Sequence, residues 1–185
     1  MHRINKVDYF MGVFIATILK SSKGTPTIFN ASDNSKLVEF TNDFGDYNVY
    51  IKYSTSLKEV KKTIDGEMKD KASCNILFFD NEYDFLKNNF YNSEKENLIC
   101  LICTNDDLTK TYMVVIKYDD AMKCLVNRTS SGWRRISISR IATESYFACY
   151  GVGFKEYEHI KVPVDFTKSL GLEADAELYH QLSMI

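Results

Sequence analysis

The chain has 185 residues, 45% of them hydrophobic and 26% charged, with a formal net charge of −2. This composition is that of a folded globular protein and excludes a disordered chain. The net charge predicts no general attraction of the whole molecule to nucleic acid or to acidic membranes. With two Pro and eight Gly the sequence offers no linker, so we expect a single domain over 1–185.

The first half of the chain alternates predicted helices and strands. Apolar residues at three- and four-residue steps predict a helix over about 8–20, and "KLVEFT" and "YNVYIKYS" follow as two strands joined by a tight turn. Ser56 opens a predicted amphipathic helix, "SLKEVKKTIDGEMKD", in which Glu59 stands at the capping-box position. "SCNILFF" then predicts a buried strand and "NEYDFLKNNF" a helix.

The second half is predicted to be mostly strands. These are "NLICLICT", "TYMVVIKY", "WRRISISR", "YFACYGVGF" and "HIKVPV", with a short helix at "DDAMKCL" and a closing helix at "ADAELYHQLSMI". Runs that are apolar on both faces favour a sheet covered on both sides, whereas the tight turns require antiparallel pairs. The predicted fold class is therefore α/β (or α+β), a single domain with a mixed central β-sheet flanked by helices.

The five cysteines do not form the pattern of a zinc site or a disulfide framework. Cys100 and Cys103 are three residues apart on a predicted strand, so their side chains should face opposite sides. We therefore expect no metal and no cofactor. The apolar stretch 7–19 contains Asp8 and is too short to span a bilayer, which predicts a cytoplasmic location and no membrane partner.

One group of residues suggests phosphodiester chemistry. Lys52 lies in the strand "VYIKYS", Glu39 lies in the preceding strand, and Asp46 lies close to the turn between them. The order of helix, strand, turn, strand, helix and strand over about 8–79 resembles the core of restriction-endonuclease-like nucleases of the PD-(D/E)xK type. The resemblance implies a site for Mg²⁺ or Mn²⁺, with Lys52 as the family's lysine and Glu39 or Asp46 as the first acid.

The sequence departs from that family at the second acid position, which is Tyr50. A phenol is a poor ligand for a hard cation at neutral pH. The resemblance therefore implies a degenerate site, or one completed by another acid such as Asp43. The alternative is that Lys52 is an ordinary strand lysine.

The stretch "SSGWRRISISR" at 130–140 holds the chain's one Trp and three of its five Arg, and Arg128 lies just upstream. The segment 121–143 contains five cationic residues and no acid. On a strand, alternation gives one row of Trp133, Arg135, Ser137 and Ser139, and an opposite row of Arg134, Ile136, Ile138 and Arg140. The two Ile should anchor the strand in the core. The predicted contact residues are Arg128, Trp133, Arg134, Arg135, Ser137 and Arg140.

An indole, guanidinium groups and hydroxyls in this arrangement suit base stacking and phosphate contacts. They suit a carboxylate-rich protein surface equally well. We expect a non-catalytic or weakly catalytic protein that contacts nucleic acid or a nucleic-acid-processing machine, in bacterial or phage defence or counter-defence. A metal-dependent nuclease and a protein-binding inhibitor or immunity protein are the alternatives, and a second copy of the chain is a candidate partner.

Overall fold

The computed structural model describes residues 6–21, 27–31, 37–42 and 45–169. Its helices are α1 (Lys6–Ser21), α2 (Asp80–Phe85), α3 (Tyr118–Cys124) and α4 (Phe166–Ser169). Its strands are β1 (Thr27–Ala31), β2 (Leu37–Asn42), β3 (Gly45–Ser54), β4 (Lys58–Ile64), β5 (Glu67–Phe78), β6 (Glu96–Thr104), β7 (Thr111–Lys117), β8 (Arg134–Ile141), β9 (Tyr146–Tyr150) and β10 (Ile160–Pro163). A π-helical turn, Leu86–Phe90, extends α2, and a 3₁₀ turn, Glu156–Glu158, precedes β10.

The ten strands form two five-stranded sheets. The first has the order β1-β2-β3-β6-β7, and β3 and β6 are its parallel pair. The second has the order β10-β9-β8-β5-β4 and is antiparallel throughout. The predicted α/β class and mixed sheet are thus confirmed, but the strands divide between two sheets where one central sheet was expected.

Two hydrophobic clusters explain this arrangement. The larger cluster joins the facing surfaces of the sheets and includes Ile99, Leu101 and Val114 of the first and Ile76, Phe78, Ile136 and Phe147 of the second. The smaller cluster joins the other face of the first sheet to α1 through Phe10, Phe14 and Ile18. The first sheet is therefore buried on both faces, by a helix on one side and mainly by the second sheet on the other, which accounts for its doubly apolar strands.

The helix predicted at "SLKEVKKTIDGEMKD" is wrong. This segment forms the β4–β5 hairpin, in which Ile64 pairs with Glu67 across a two-residue turn. Asp65 and Gly66 both have positive φ, 53° and 80°, as a type I′ turn requires. An Asp-Gly pair is a strong hairpin signal, and here it prevails over the three- and four-residue spacing of the apolar side chains.

Replacing Gly66 with alanine should destabilise the protein by about 1 kcal/mol, because a Cβ atom is disfavoured at its φ of 80°. No atom within 4 Å would obstruct the new methyl group, so the backbone conformation alone carries the cost. Chemical denaturation followed by circular dichroism measures it. Gly66→Asn is the control, since Asn tolerates the left-handed region, and equal losses in both variants would contradict this account.

The remaining predicted elements within the described ranges are confirmed, although β5 begins at Glu67 where a start at Ser73 was expected, and β9 ends at Tyr150 where an end at Phe154 was expected. Strand β1 was not predicted, and the predicted closing helix lies outside the described residues. Cys100 and Cys103 do face opposite sides of β6, since each belongs to a different hydrophobic cluster. None of the helices in the described part of the chain has the length and apolarity needed to cross a membrane.

Candidate functional site

Lys52 is buried in the structure and pairs with Glu82, a residue that was not among the predicted site residues. Its ammonium group contacts both carboxylate oxygens of Glu82 on α2, with 2.5 Å between Nζ and Oε1. The hydroxyl of Tyr50 donates to the same Oε1 over 3.1 Å, and the backbone N–H of Phe79 donates to Oε2 over 3.0 Å. Burial and the Glu82 carboxylate both raise the pKa of Tyr50, so this phenol stays protonated. These contacts tie α2 to the first sheet.

The other two residues of the nuclease-like set lie along the strands away from Lys52. Glu39 is paired across the sheet with Asn48 and forms an ion pair of 2.9 Å with Lys95. Asp46 lies at the start of β3, six residues from Lys52, which is about 20 Å of extended chain. Asp46 accepts a hydrogen bond from Thr41. The three side chains are not brought together, and the described residues contain no group of three metal-ligating side chains.

The inner row of β8 is as predicted at its centre, where Ile136 and Ile138 are buried in the core. Arg134, next to them, binds the end of α3. Its Nη1 donates to the carbonyl oxygens of Leu125 and Val126, both at 2.7 Å, and its guanidinium lies 3.8 Å from the centre of the Tyr83 ring. A cation at a helix C-terminus is favourable, so Arg134 has a structural role.

Arg128 is likewise engaged within the protein. Its two Nη atoms contact the two carboxylate oxygens of Asp80 at 3.0 and 2.7 Å, and Nη1 also donates to the carbonyl of Gly132. This fork holds the loop before β8 against the start of α2. Arg140 lies on the inner side of the second sheet, beside the rings of Tyr112 and Phe147.

Only part of the outer row of β8 is exposed to solvent. Ser137 is 3% exposed and its hydroxyl donates to the side chain of Asn75 over 2.8 Å, so it supports the sheet and does not form a contact surface. Arg135 is half-buried on the outer side, and its Nε has no hydrogen-bond partner among the described residues. No carboxylate in the described part of the chain forms an ion pair with Arg135.

Trp133 is the exposed end of that row, with 42% of its surface accessible. It packs edge-to-face on Phe79, with the ring centres 4.9 Å apart. Phe79 is itself 48% exposed, and the neighbouring Leu77, which pairs with Arg135 across the sheet, is also exposed. Trp133, Phe79 and Leu77 form an exposed apolar cluster beside Arg135. We call them the aromatic end of the sheet.

Lysines extend this surface across the second sheet. Because buried residues such as Ile76 and Ile136 point inward, the alternate positions point away from the core. The cations at these outward positions are Lys58 and Lys62 of β4, Lys69 and Lys71 of β5, Arg135 of β8 and Lys161 of β10. One acid, Glu67, lies at an outward position of these strands, 3.6 Å from Lys69. The outer face of the second sheet is therefore strongly cationic in a chain whose net charge is −2.

Trp133 and Arg135 were predicted from the sequence, whereas Phe79, Leu77 and the lysines were not. Lys58 and Lys62 lie in the segment predicted as an amphipathic surface helix, on its solvent side. The Asp-Gly turn is the signal that would have placed them on a hairpin, and hence on one sheet face. Nothing in the sequence indicated that this hairpin would pair with β8, since pairing between strands so distant in sequence depends on the whole core.

Comparisons with known proteins give no assignment for this site. No protein-family model matches the chain, and neither a curated protein nor a solved structure matches it. We therefore base the proposed function on the chemistry of the outer face of the second sheet.

Proposed function

We propose that this protein binds single-stranded nucleic acid on the outer face of its second sheet. The observation that carries the proposal is the combination of six outward cations with the two exposed rings of the aromatic end, Trp133 and Phe79. Proteins that bind single strands combine a cationic surface along the backbone with aromatic rings on which bases stack. The outward cations lie on the sheet face, and the two rings lie at its end, just beyond β5 and β8.

The distribution of charge supports a polyanionic partner. Outward cations lie on four of the five strands, so phosphates spaced along an extended strand would meet a cation at several points. Arg135 adds a guanidinium group that has no carboxylate partner among the described residues. Its planar fork suits the bidentate binding of a phosphate.

The aromatic end supports unpaired bases over a duplex. Trp133 and Phe79 pack edge-to-face, which leaves ring surface exposed for stacking. In a duplex the base faces are already stacked on one another, whereas every base of a single strand presents a π-face. The phosphates alone would not discriminate between these two partners.

The test is fluorescence anisotropy with mixed-sequence 20-nucleotide DNA and RNA, single-stranded and duplex, at 50 and 200 mM salt. We expect single strands to bind more tightly than duplexes, and binding to weaken as the salt rises. Trp133→Ala should raise the Kd for a single strand by about 10- to 100-fold, which corresponds to the stacking free energy of one base on an aromatic ring. Lys58→Gln/Lys71→Gln should raise the Kd and reduce its salt dependence.

A matched double variant tests whether the loss of binding comes from this face or only from the change in net charge. Lys87→Gln/Lys117→Gln changes the net charge by the same amount at exposed positions away from the second sheet. Equal weakening by the two double variants would contradict the proposed face. Failure of wild-type protein to bind any oligonucleotide at 50 mM salt would contradict the function and favour the protein-binding alternative.

The proposal includes the cellular setting in which the protein acts. We place the protein in the cytoplasm, where single-stranded intermediates of bacterial and phage replication are present, and in a defence or counter-defence role. Co-purification of nucleic acid with the native protein, sensitive to nuclease treatment and high salt, would accord with this setting.

A further inference from the structure

A cleft lies between the β4–β5 hairpin, Lys110 and Tyr112 near the start of β7, and Arg140 of β8. Its volume is about 460 Å³, within the usual range for small-molecule sites. The inward charged and aromatic side chains that line it are Glu59, Lys61, Asp70, Lys110, Tyr112 and Arg140, and the outward residues Val60 and Lys71 also line it. Strand alternation puts Arg140 and most of this lining on the opposite side from the lysine-rich outer face, and Lys71 is the cation that the cleft shares with the proposed nucleic-acid site.

One ion pair lies within the cleft. Glu59 contacts the ammonium group of Lys110 and accepts a hydrogen bond of 3.1 Å from the hydroxyl of Tyr112. The Lys110 contact lowers the pKa of Glu59, so this carboxylate is ionised near neutral pH. Asp70 lies directly opposite Lys61 in the β4–β5 ladder. These two acids therefore each have a lysine neighbour.

Arg140 is an inward cation of this cleft with no acidic partner among the described residues. Its side chain is half-buried, and its guanidinium carbon lies 5.9 Å from the centre of the Tyr112 ring and 5.7 Å from that of Phe147. Nε donates to the carbonyl of Glu144 over 3.4 Å. The described part of the chain provides no hydrogen-bond acceptor for Nη1 and Nη2 and no carboxylate within ion-pair distance. Two aromatic rings thus hold a guanidinium fork at the wall of a cleft.

We propose that this cleft binds a small organic carboxylate, whose two oxygens pair with the guanidinium of Arg140. A guanidinium binds a carboxylate through two parallel N–H···O bonds, and this geometry favours it over a spherical anion. The two acids of the cleft disfavour a doubly charged phosphate more than a singly charged carboxylate. Tyr112, Ala72 and Ala142 supply the apolar wall for the body of such a ligand.

The experiment is an NMR titration of ¹⁵N-labelled full chain with benzoate, N-acetylglycine and inorganic phosphate at constant ionic strength. We expect saturable shifts of the Arg140 side-chain N–H and the Ala72 and Ala142 amides with the carboxylates, at millimolar concentrations. Arg140→Gln should raise the Kd at least tenfold, and Arg140→Lys should raise it by less. Lys61→Gln, at an exposed position, should weaken binding without a risk to the fold.

The control is Arg135→Gln, on the opposite face of the same strand, which should leave benzoate binding unchanged. Conversely, Arg140→Gln should leave the Kd for oligonucleotides unchanged, so the two proposals fail independently. The carboxylate proposal is overturned by any of three results: no saturable shift with either carboxylate, equal binding by Arg140→Gln, or phosphate binding more tightly than both carboxylates.

Discussion

Replacing Lys52 with methionine should lower the free energy of unfolding by about 3–5 kcal/mol, the usual cost of removing one partner from a buried ion pair. The side chains of Lys52 and Glu82 are only 8% and 11% exposed. Without the ammonium group, the Glu82 carboxylate would remain in an apolar setting with the hydroxyl of Tyr50 and the N–H of Phe79 as its donors. Urea unfolding followed by circular dichroism measures the loss.

A double variant distinguishes the pair from loss of packing. Lys52→Met/Glu82→Met removes both charges, and should recover most of the stability lost in the single variant. Lys123→Met is the matched control, because Lys123 pairs with Asp120 on the surface and exposed pairs contribute little. A Lys52→Met protein as stable as the wild type would contradict the structural role. If that variant also lost a metal-dependent cleavage of nucleic acid, the nuclease alternative would be favoured.

Gly151→Ala should destabilise the protein by about 3 kcal/mol, at the upper end of the cost of overpacking. A Cβ atom at this position would lie 2.1 Å from the carbonyl oxygen of Cys124 and 2.8 Å from its Cα. These are backbone atoms at the end of α3, so no side chain can rotate to make room. The helix end would have to move, and the bonds from Arg134 to Leu125 and Val126 would move with it.

Thermal and urea unfolding of Gly151→Ala measure this cost. Gly12→Ala is the control, since a Cβ atom added at Gly12 in α1 would have nothing within 4 Å, and alanine is a better helix former. We expect Gly12→Ala to unfold at the same urea concentration as the wild type or a higher one. Similar stability of the two variants would show that Gly151 and the backbone of Cys124 are not in the close contact described.

Local patterns predicted the parts of the fold that depend on near neighbours. The apolar periodicity of α1 and the two-faced apolar run of β6 were interpreted correctly, whereas β5 is buried on one face only, since its Asn75 and Leu77 are exposed. The Asp65–Gly66 pair is also a local signal, and it favours a hairpin where the spacing of Leu57, Val60, Ile64 and Met68 predicts a helix. Leu57 is buried in the core, whereas Val60 and Met68 are exposed, so the stripe was not a buried helix face.

In the candidate site, too, local patterns predicted some features and missed others. Strand alternation predicted that Ile136 and Ile138 would face the core and that Trp133 and Arg135 would lie on the other face. It could not predict that Arg128 would bind Asp80, that Arg134 would bind the end of α3, or that Ser137 would be covered. Each of these depends on contacts outside the strand itself, and guanidinium groups reach whichever acceptor the fold brings near.

The sequence by itself determined the class of the fold, the separation of Cys100 from Cys103, and the two faces of β8, because these depend on backbone periodicity. Only the tertiary structure decided that the strands form two sheets, that Lys52 belongs to Glu82, and that the lysines of the β4–β5 hairpin join Trp133 and Arg135 on one surface. The physical reason is that strand pairing and side-chain pairing are long-range. They are chosen by the burial of the whole core, and no local pattern contains that choice.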